Sequence, residues 1–416
     1  MIREFIPKNN KNILKNLLFF FFSIYPIAFL LGNFAINLFL IIFNLILITS
    51  FFRKNNTVDN FSKHIIFLLM FLLISFFINL IFSNNMVLTY PRVLKFILII
   101  GSILSFRYLM CSFENDDINK LYKIWSLIFL IVIIDIIFEL IFKFNILGFS
   151  SFMPGRIASF SGNELNIGHF FSGFCLIFIS FIFLNYKNTS IQLIIAFFLI
   201  ALSFLIGERS NFIKSLLIIL SFVFLVYEMQ TKYKIFSIIT LISFIVLISN
   251  LNPGYKLRYI DQFTKILANK SISYYFENSV YGAHYNVAFE IFKDNKIFGV
   301  GIKNFRTESY SKKYNNLDHK FNDRRANTHP HQIHFEFLSE TGLFGYFTFA
   351  IFIFYSLYLC LKNYLKKKNL YQLSGMLFVI INLLPLLPSG SFFSTYTSGL
   401  FWLNYAVMVG YLDKSN

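Results

Sequence analysis

The chain has 416 residues, 56% of them hydrophobic and only 14% charged, with a mean hydropathy of +0.64. Soluble domains carry about 25% charged residues, so the composition excludes an ordinary soluble globular protein. The net charge of +17 accompanies an excess of Phe, Lys, Asn and Ile that reads as a general compositional bias, so it is not taken as a sign of nucleic-acid binding.

The apolar residues fall in runs of near 20, the length that crosses about 30 Å of hydrocarbon as a helix. In chain order the predicted spans are 13–31, 35–52, 64–83, 92–110, 122–142, 165–185, 190–206, 211–228, 233–250, 333–361, 370–388 and 394–411. The expected fold is therefore an all-α polytopic membrane protein of about twelve transmembrane helices. The basic N-terminus (Arg3, Lys8, Lys11, Lys15) precedes an apolar stretch too long for the core of a cleavable signal, and no small-residue cleavage site follows. Cys111, Cys175 and Cys360 all lie outside the long polar loop, so no disulfide framework is implied there.

Orientation follows from the basic residues. With the N-terminus inside, the cytoplasmic segments gather Arg53, Lys54, Lys63, Arg107, Lys120, Lys123, Lys187, Lys232, Lys234, Lys362 and Lys366 to Lys368, besides both termini. The short loops opposite hold only Arg92, Lys143, Arg156 and Arg209. The positive-inside rule then places both termini in the cytoplasm and residues 251–332 outside it. That segment, between the ninth and tenth spans, is too long and too polar for an ordinary connection and is expected to form a small domain or lid. The chain thus divides into spans one to nine (1–250), the loop domain (251–332) and spans ten to twelve (333–416).

Three polar features fall on the loop side. They are Gly155-Arg156 with Ser161-Gly162-Asn163-Glu164, Gly207-Glu208-Arg209-Ser210-Asn211, and Thr328-His329-Pro330-His331-Gln332. Pro330 suits a first helical turn, since its missing N–H has no partner there anyway. A helix beginning there puts His331 in its first turn, where the positive end of the helix favours anions and holds the imidazole neutral. On that helix His331, His334, Leu338, Gly342 and Gly345 share a face, with Glu336 and Glu340 opposite. The two glycines would admit a close neighbouring helix. No carboxylate stands at ligand spacing from His329, His331 and His334, so no metal is expected. Read singly, Arg156 and Arg209 are also the kind of arginine that snorkels to an interface, and the histidines the kind that sits at one without chemistry. From spacing alone the features define an extracytoplasmic polar site suited to an anion.

The order of these residues resembles the O-antigen ligase and O-antigen polymerase superfamily. The resemblance rests on His331-Gln332 followed by Gly342 and Gly345, with Glu340 inside the motif. It extends to Ala288–Gly301 (AFEIFKDNKIFGVG), which is similar to a segment of that family's large periplasmic loop, and to two arginine-bearing short loops, Gly155-Arg156 with Gly162-Asn163-Glu164 and Glu208-Arg209-Ser210. Glu208 stands where a small hydroxyl residue often precedes the arginine.

The resemblance implies a bacterial inner-membrane glycosyltransferase. It would move a glycan from undecaprenyl diphosphate to an acceptor hydroxyl, on lipid A–core or another lipid-linked glycan, at the periplasmic face. Neither nucleotide sugar, metal nor other cofactor is implied. His331 is then the base, with Arg156 and Arg209 on the diphosphate. Arg324, Arg325, Gln332, Asn163 and Glu164 are substrate contacts, and Glu340, Gly342 and Gly345 shape the motif. A polysaccharide flippase would instead show two repeated halves and charges within its helices, and a membrane acyltransferase using one His is the third class. Ligase and polymerase are not separated by the sequence.

Overall fold

A computed structural model describes residues 13–52, 63–227, 272–385 and 387–412, with scattered positions between 232 and 259. The described chain is all-helical: α1 (Ile13–Leu31), α2 (Asn33–Phe52), α3 (Lys63–Ile81), α4 (Met86–Ser112), α5 (Asn115–Phe142), α6 (Ile167–Asn185), α7 (Thr189–Leu205), α8 (Arg209–Val226), α9 (Val280–Asp294), α10 (Ile333–Lys367), α11 (Leu370–Asn382) and α12 (Thr395–Gly410). Among the described residues eight helices (α1 to α6, α8 and α10) are long and apolar enough to cross a membrane, and α7 and α11 are shorter apolar helices. The protein is a multi-pass membrane protein. The predicted span 233–250 falls mostly outside the described residues, as does much of 251–271.

The spans form because each is an unbroken apolar run whose backbone hydrogen bonds close within the segment, as a bilayer demands. Their large exposed side chains, such as Phe34, Phe52, Phe67, Ile194 and Phe354, would be anomalous in water but suit lipid. The inward faces make one continuous core, in which Trp125, Phe22, Phe106 and Phe174 interlock and the indole N–H of Trp125 donates to Phe22 O at 2.7 Å. Helix α6 is the most enclosed of the eight long apolar helices among the described residues, and it packs on α5, α8 and α11.

Two predicted spans change in the structure. The span expected at 370–388 ends as a helix at Asn382. Pro385 and Pro388 supply no backbone N–H to continue it. Of the irregular residues that follow, Ser391, Phe392 and Phe393 are buried. The long helix α10 is broken at Gly342, whose φ of 64° and ψ of −169° are not helical. The first piece carries the motif residues, and the second piece, 343–367, is long enough to span alone. Gly342 therefore does not admit a neighbouring helix. A Cβ there would meet Ile297 O, so the close neighbour is the loop. Gly345 packs under the side chain of its own Thr341.

The break is where the loop region docks. Leu343 N and Phe344 N donate to Lys296 O (2.8 Å) and Ile297 O (3.1 Å), while Val300 N and Gly301 N donate to Ser339 O (3.0 Å) and Glu340 O (2.9 Å). The bonds that a straight helix would have kept are exchanged for bonds to residues 296–301. The loop region has its own small core of Val287, Ala288, Ile291, Val300, Phe305 and Tyr314, closed by Leu317 and by Phe335 of α10.

Candidate active site

The two arginine-bearing loops meet. Glu139 of α5 accepts from Ala158 N (2.9 Å) and Ser159 N (2.5 Å), and Asp135 accepts from Ser159 Oγ (2.6 Å), which pins the first loop. Ile157 N donates to Ile206 O at 3.1 Å, and Gly207, at φ 81°, has no room for a Cβ against Gly155 O. Arg156 is then held by Glu208: its Nη2 is 2.9 Å from both Glu208 Oε1 and Leu165 O. Glu208 also accepts from Gly168 N (3.2 Å) and from Asn211 Nδ2 (2.5 Å). The carboxylate that interrupts the expected hydroxyl position is thus the counter-ion of Arg156. Arg209 opens α8 directly after Glu208, its N-cap. Asn163 and Glu164 are exposed on the same loop.

His331 departs from its predicted position. It lies before the helix, in left-handed backbone at φ 59°, and α10 begins at Ile333 with Gln332 as its N-cap. The Gln332 side chain accepts from Phe335 N at 3.0 Å, so its role in the fold is capping. Pro330 is buried ahead of this turn and starts no helix. The shared face with His334 is accordingly absent. His334 donates from Nε2 to Leu383 O (2.8 Å) and accepts from Tyr346 OH at Nδ1 (3.0 Å), so both ring nitrogens are engaged.

The environment of His331 comes from the loop. Its ring lies 4.0 Å from His329, 5.3 Å from His284 and 5.4 Å from Tyr281, centroid to centroid. Hydrogen bonds assign the tautomers. His284 Nδ1 faces Arg325 O at 2.9 Å and must donate, which leaves its Nε2 to accept from Asn327 Nδ2 at 3.2 Å. The Asn327 oxygen accepts from Thr328 N (2.7 Å), and its second amide hydrogen goes to His331 Nε2 at 3.1 Å. The base lone pair of His331 is therefore at Nε2, bridged through Asn327 to His284. Burial first, then the neighbouring His284, pull the His331 pKa down to about 4. Burial also lowers His284, against the opposing bond to Arg325 O. The imidazole is neutral at pH 7 as expected, but burial and a second histidine hold it so, not a helix end.

The other motif residues build the frame. Glu340 is fully buried and accepts from Lys303 N (2.7 Å) and Phe305 N (3.3 Å). Glu336 accepts from Phe392 N (2.7 Å) and Ser391 Oγ, with Lys303 Nζ 3.9 Å away. Asn79 of α3 joins the layers by donating to Phe298 O (2.6 Å) and Glu340 O (2.8 Å) and accepting from Ile302 N (3.0 Å). Arg325 spends its guanidinium inside the loop on Asn322 O (3.1 Å) and Asn315 Oδ1 (2.6 Å), and Arg324 is exposed beside Asp323. Sequence reasoning missed His284, Asn327 and Tyr281 as neighbours of His331. The signal available was a polar His at the start of an otherwise amphipathic stretch.

A cavity of about 40 Å³ lies among α6, α8, α10, α11 and α12. It is lined by His169 and Lys214 near the arginine loops and by Ile333, Ser389 and Gly390 near His331, and Ser389 N donates to His331 O at 2.7 Å. Its volume holds one or two waters, so a larger substrate requires opening. Among the described residues no group of three or more His, Cys, Asp or Glu is placed to hold a metal ion.

A multi-pass membrane protein that brings two arginine-bearing loops together and holds a half-buried histidine whose Nε2 accepts from an amide has groups suited to an anion and to a proton acceptor. Residues 193–350, from α7 to the first turns of α10 beyond its break, match the family described as O-antigen ligase. A domain of the O-antigen ligase and polymerase family is thus identified in this chain, covering Arg209, the loop region and the His331 motif. The match and the membrane-helix architecture support glycan transfer of that general type. No curated protein matches the chain.

Proposed function

We propose that the protein transfers a glycan from undecaprenyl diphosphate to an acceptor hydroxyl at the periplasmic face of the bacterial inner membrane, with both termini cytoplasmic. The observation that carries this is the neutral His331, its Nε2 lone pair bonded only to a displaceable amide within the identified family domain. The acceptor hydroxyl takes the place of Asn327 at Nε2 and gives its proton to His331 as it attacks the glycan carbon. Arg156 and Arg209 stabilise the departing diphosphate, to which a guanidinium offers two parallel N–H groups. The exposed Asn163, Glu164 and Arg324 contact the substrates, while Gln332 caps α10 and Arg325 is held inside the loop. The reaction uses no nucleotide sugar and routes no step through a metal.

The test is transfer by the purified protein from undecaprenyl-diphosphate glycan, with and without EDTA. His331→Ala should abolish transfer while the protein remains inserted and folded. Full activity in that variant would defeat the assignment, and loss of wild-type activity in EDTA would move the chemistry to a bound metal. Labelling of a cysteine placed at Asn315 from outside the membrane checks the orientation, and labelling from the cytoplasm would overturn it.

A further inference from the structure

A second group of cations is shared between the start of α4 and residues 302–306 of the loop. Asn304 Nδ2 donates to Thr89 Oγ1 (2.9 Å) and Thr89 Oγ1 donates to Ile302 O (3.0 Å), so residues 302–306 are laid along the start of α4. This brings Lys303 and Arg306 of the loop to Arg92 and Lys95 of α4. Arg92 feels the charge of Arg306, Lys95 those of Arg92 and Lys303, and Lys303 those of Arg306 and Arg92. Lys303 also acts on His329, whose ring lies 4.0 Å from that of His331.

Glu340 acts on Arg92, and Glu336 and Glu340 act on Lys303. The oxygens of Glu340 are spent on Lys303 N and Phe305 N, and those of Glu336 on Phe392 N and Ser391. Lys95 and Lys303 rest on hydroxyls, Thr395 at 2.5 Å and Ser391. Arg92 and Arg306 have no such partner: the Nε of each is buried without a hydrogen bond. Two half-buried guanidiniums that repel each other, each with an orphaned N–H, leave donors and charge unmatched. A phosphate supplies both the missing negative charge and acceptors with the geometry of a guanidinium fork.

We propose that Arg92 and Arg306, backed by the field of Lys95 and Lys303, form a second anion site for a phosphate or diphosphate group, separate from the Arg156–Arg209 loops. The group is carried either on a lipid headgroup entering beside α4 or as free phosphate released in the reaction. Arg156 already has a carboxylate at 2.9 Å, whereas among the described residues neither Arg92 nor Arg306 forms an ion pair, so the pair is the stronger phosphate receptor in the empty protein.

The experiment uses the full chain purified in detergent, with inorganic pyrophosphate and undecaprenyl phosphate as separate probes. Binding is read by calorimetry and by the shift in thermal unfolding midpoint, neither of which requires transfer activity. Arg92→Gln and Arg306→Gln should each weaken binding of the preferred probe at least tenfold, while Arg156→Gln leaves this site intact. Without probe, Arg306→Gln should unfold at the same or a higher temperature than wild type, because repulsion of Arg92 is removed. Dependence on Arg92 and Arg306 with pyrophosphate marks a free-phosphate site, and dependence with undecaprenyl phosphate alone marks a lipid headgroup site. Arg306→Lys, which keeps charge and loses the fork, replaces the Gln variant if that one does not fold. Wild-type binding of both probes by both Gln variants would overturn the proposal, whatever the outcome of the transfer assay.

Discussion

The arginine loops and the histidine cluster are built on different principles. In the first, charge is matched before any substrate arrives: Arg156 bonds Glu208, and Glu208 is further held by Gly168 N and Asn211. In the second, neutral rings are packed together and linked by a single amide, with His331 in left-handed backbone. A matched pair resists rearrangement, since breaking a buried ion pair costs about 3–5 kcal/mol. An amide bonded to an imidazole gives way for about 0.5–1.5 kcal/mol net. The difference suggests a division of labour: the arginine loops are a fixed electrostatic platform, and the histidine cluster is where a substrate group inserts.

Removing the guanidinium fork tests the platform hardest. Arg156→Lys and Arg209→Lys keep the charge but lose the parallel N–H groups, and each charge-assisted hydrogen bond is worth about 1.5–3 kcal/mol. Transfer should fall on the order of 10- to 150-fold at normal membrane levels. Near-wild-type transfer by the two Arg→Ala variants would remove the arginines from the reaction.

Gly342→Ala tests whether the histidine cluster depends on the break in α10. The backbone there is open essentially to glycine, and an added Cβ meets Ile297 O. A loss of about 2–4 kcal/mol in stability is expected, with faster proteolysis at 296–301. An unchanged unfolding midpoint and unchanged protease sensitivity would mean that residues 296–301 do not depend on this fit.

Asn327→Asp gives the smallest change and the sharpest one. A carboxylate at the Asn327 position would raise the His331 pKa from its value of about 4. Wild-type transfer should be flat from pH 8 to about pH 5, because the base form persists until the pH nears that low pKa. In the variant the acid limb should move up by about one to two pH units, since a nearby opposite charge favours the protonated ring. Superimposable pH profiles would show that Asn327 does not govern His331.

The legible part of the site was its inventory. His331, Arg156 and Arg209 stood out because cations and histidine are costly beside a bilayer. Their partners were not legible. Glu208 looked like a disturbance to Arg209, yet its carboxylate turns toward Arg156, 52 positions earlier in the chain. Pro330 looked like a helix start, but the backbone N–H of Ser389 and the loop around Asn327 hold His331 outside the helix.

The sequence by itself determined the membrane class and most helix limits. That information is local: a run of apolar residues long enough to cross hydrocarbon must close its hydrogen bonds internally, wherever its neighbours lie. Tertiary structure alone decided where α10 breaks, which carboxylate meets which arginine, and which nitrogen of His331 is free to act as a base. Each of these depends on atoms brought together from distant segments: Ile297 against Gly342, Glu208 against Arg156, and Arg325 O against His284, which orients Asn327 and so sets the proton on His331.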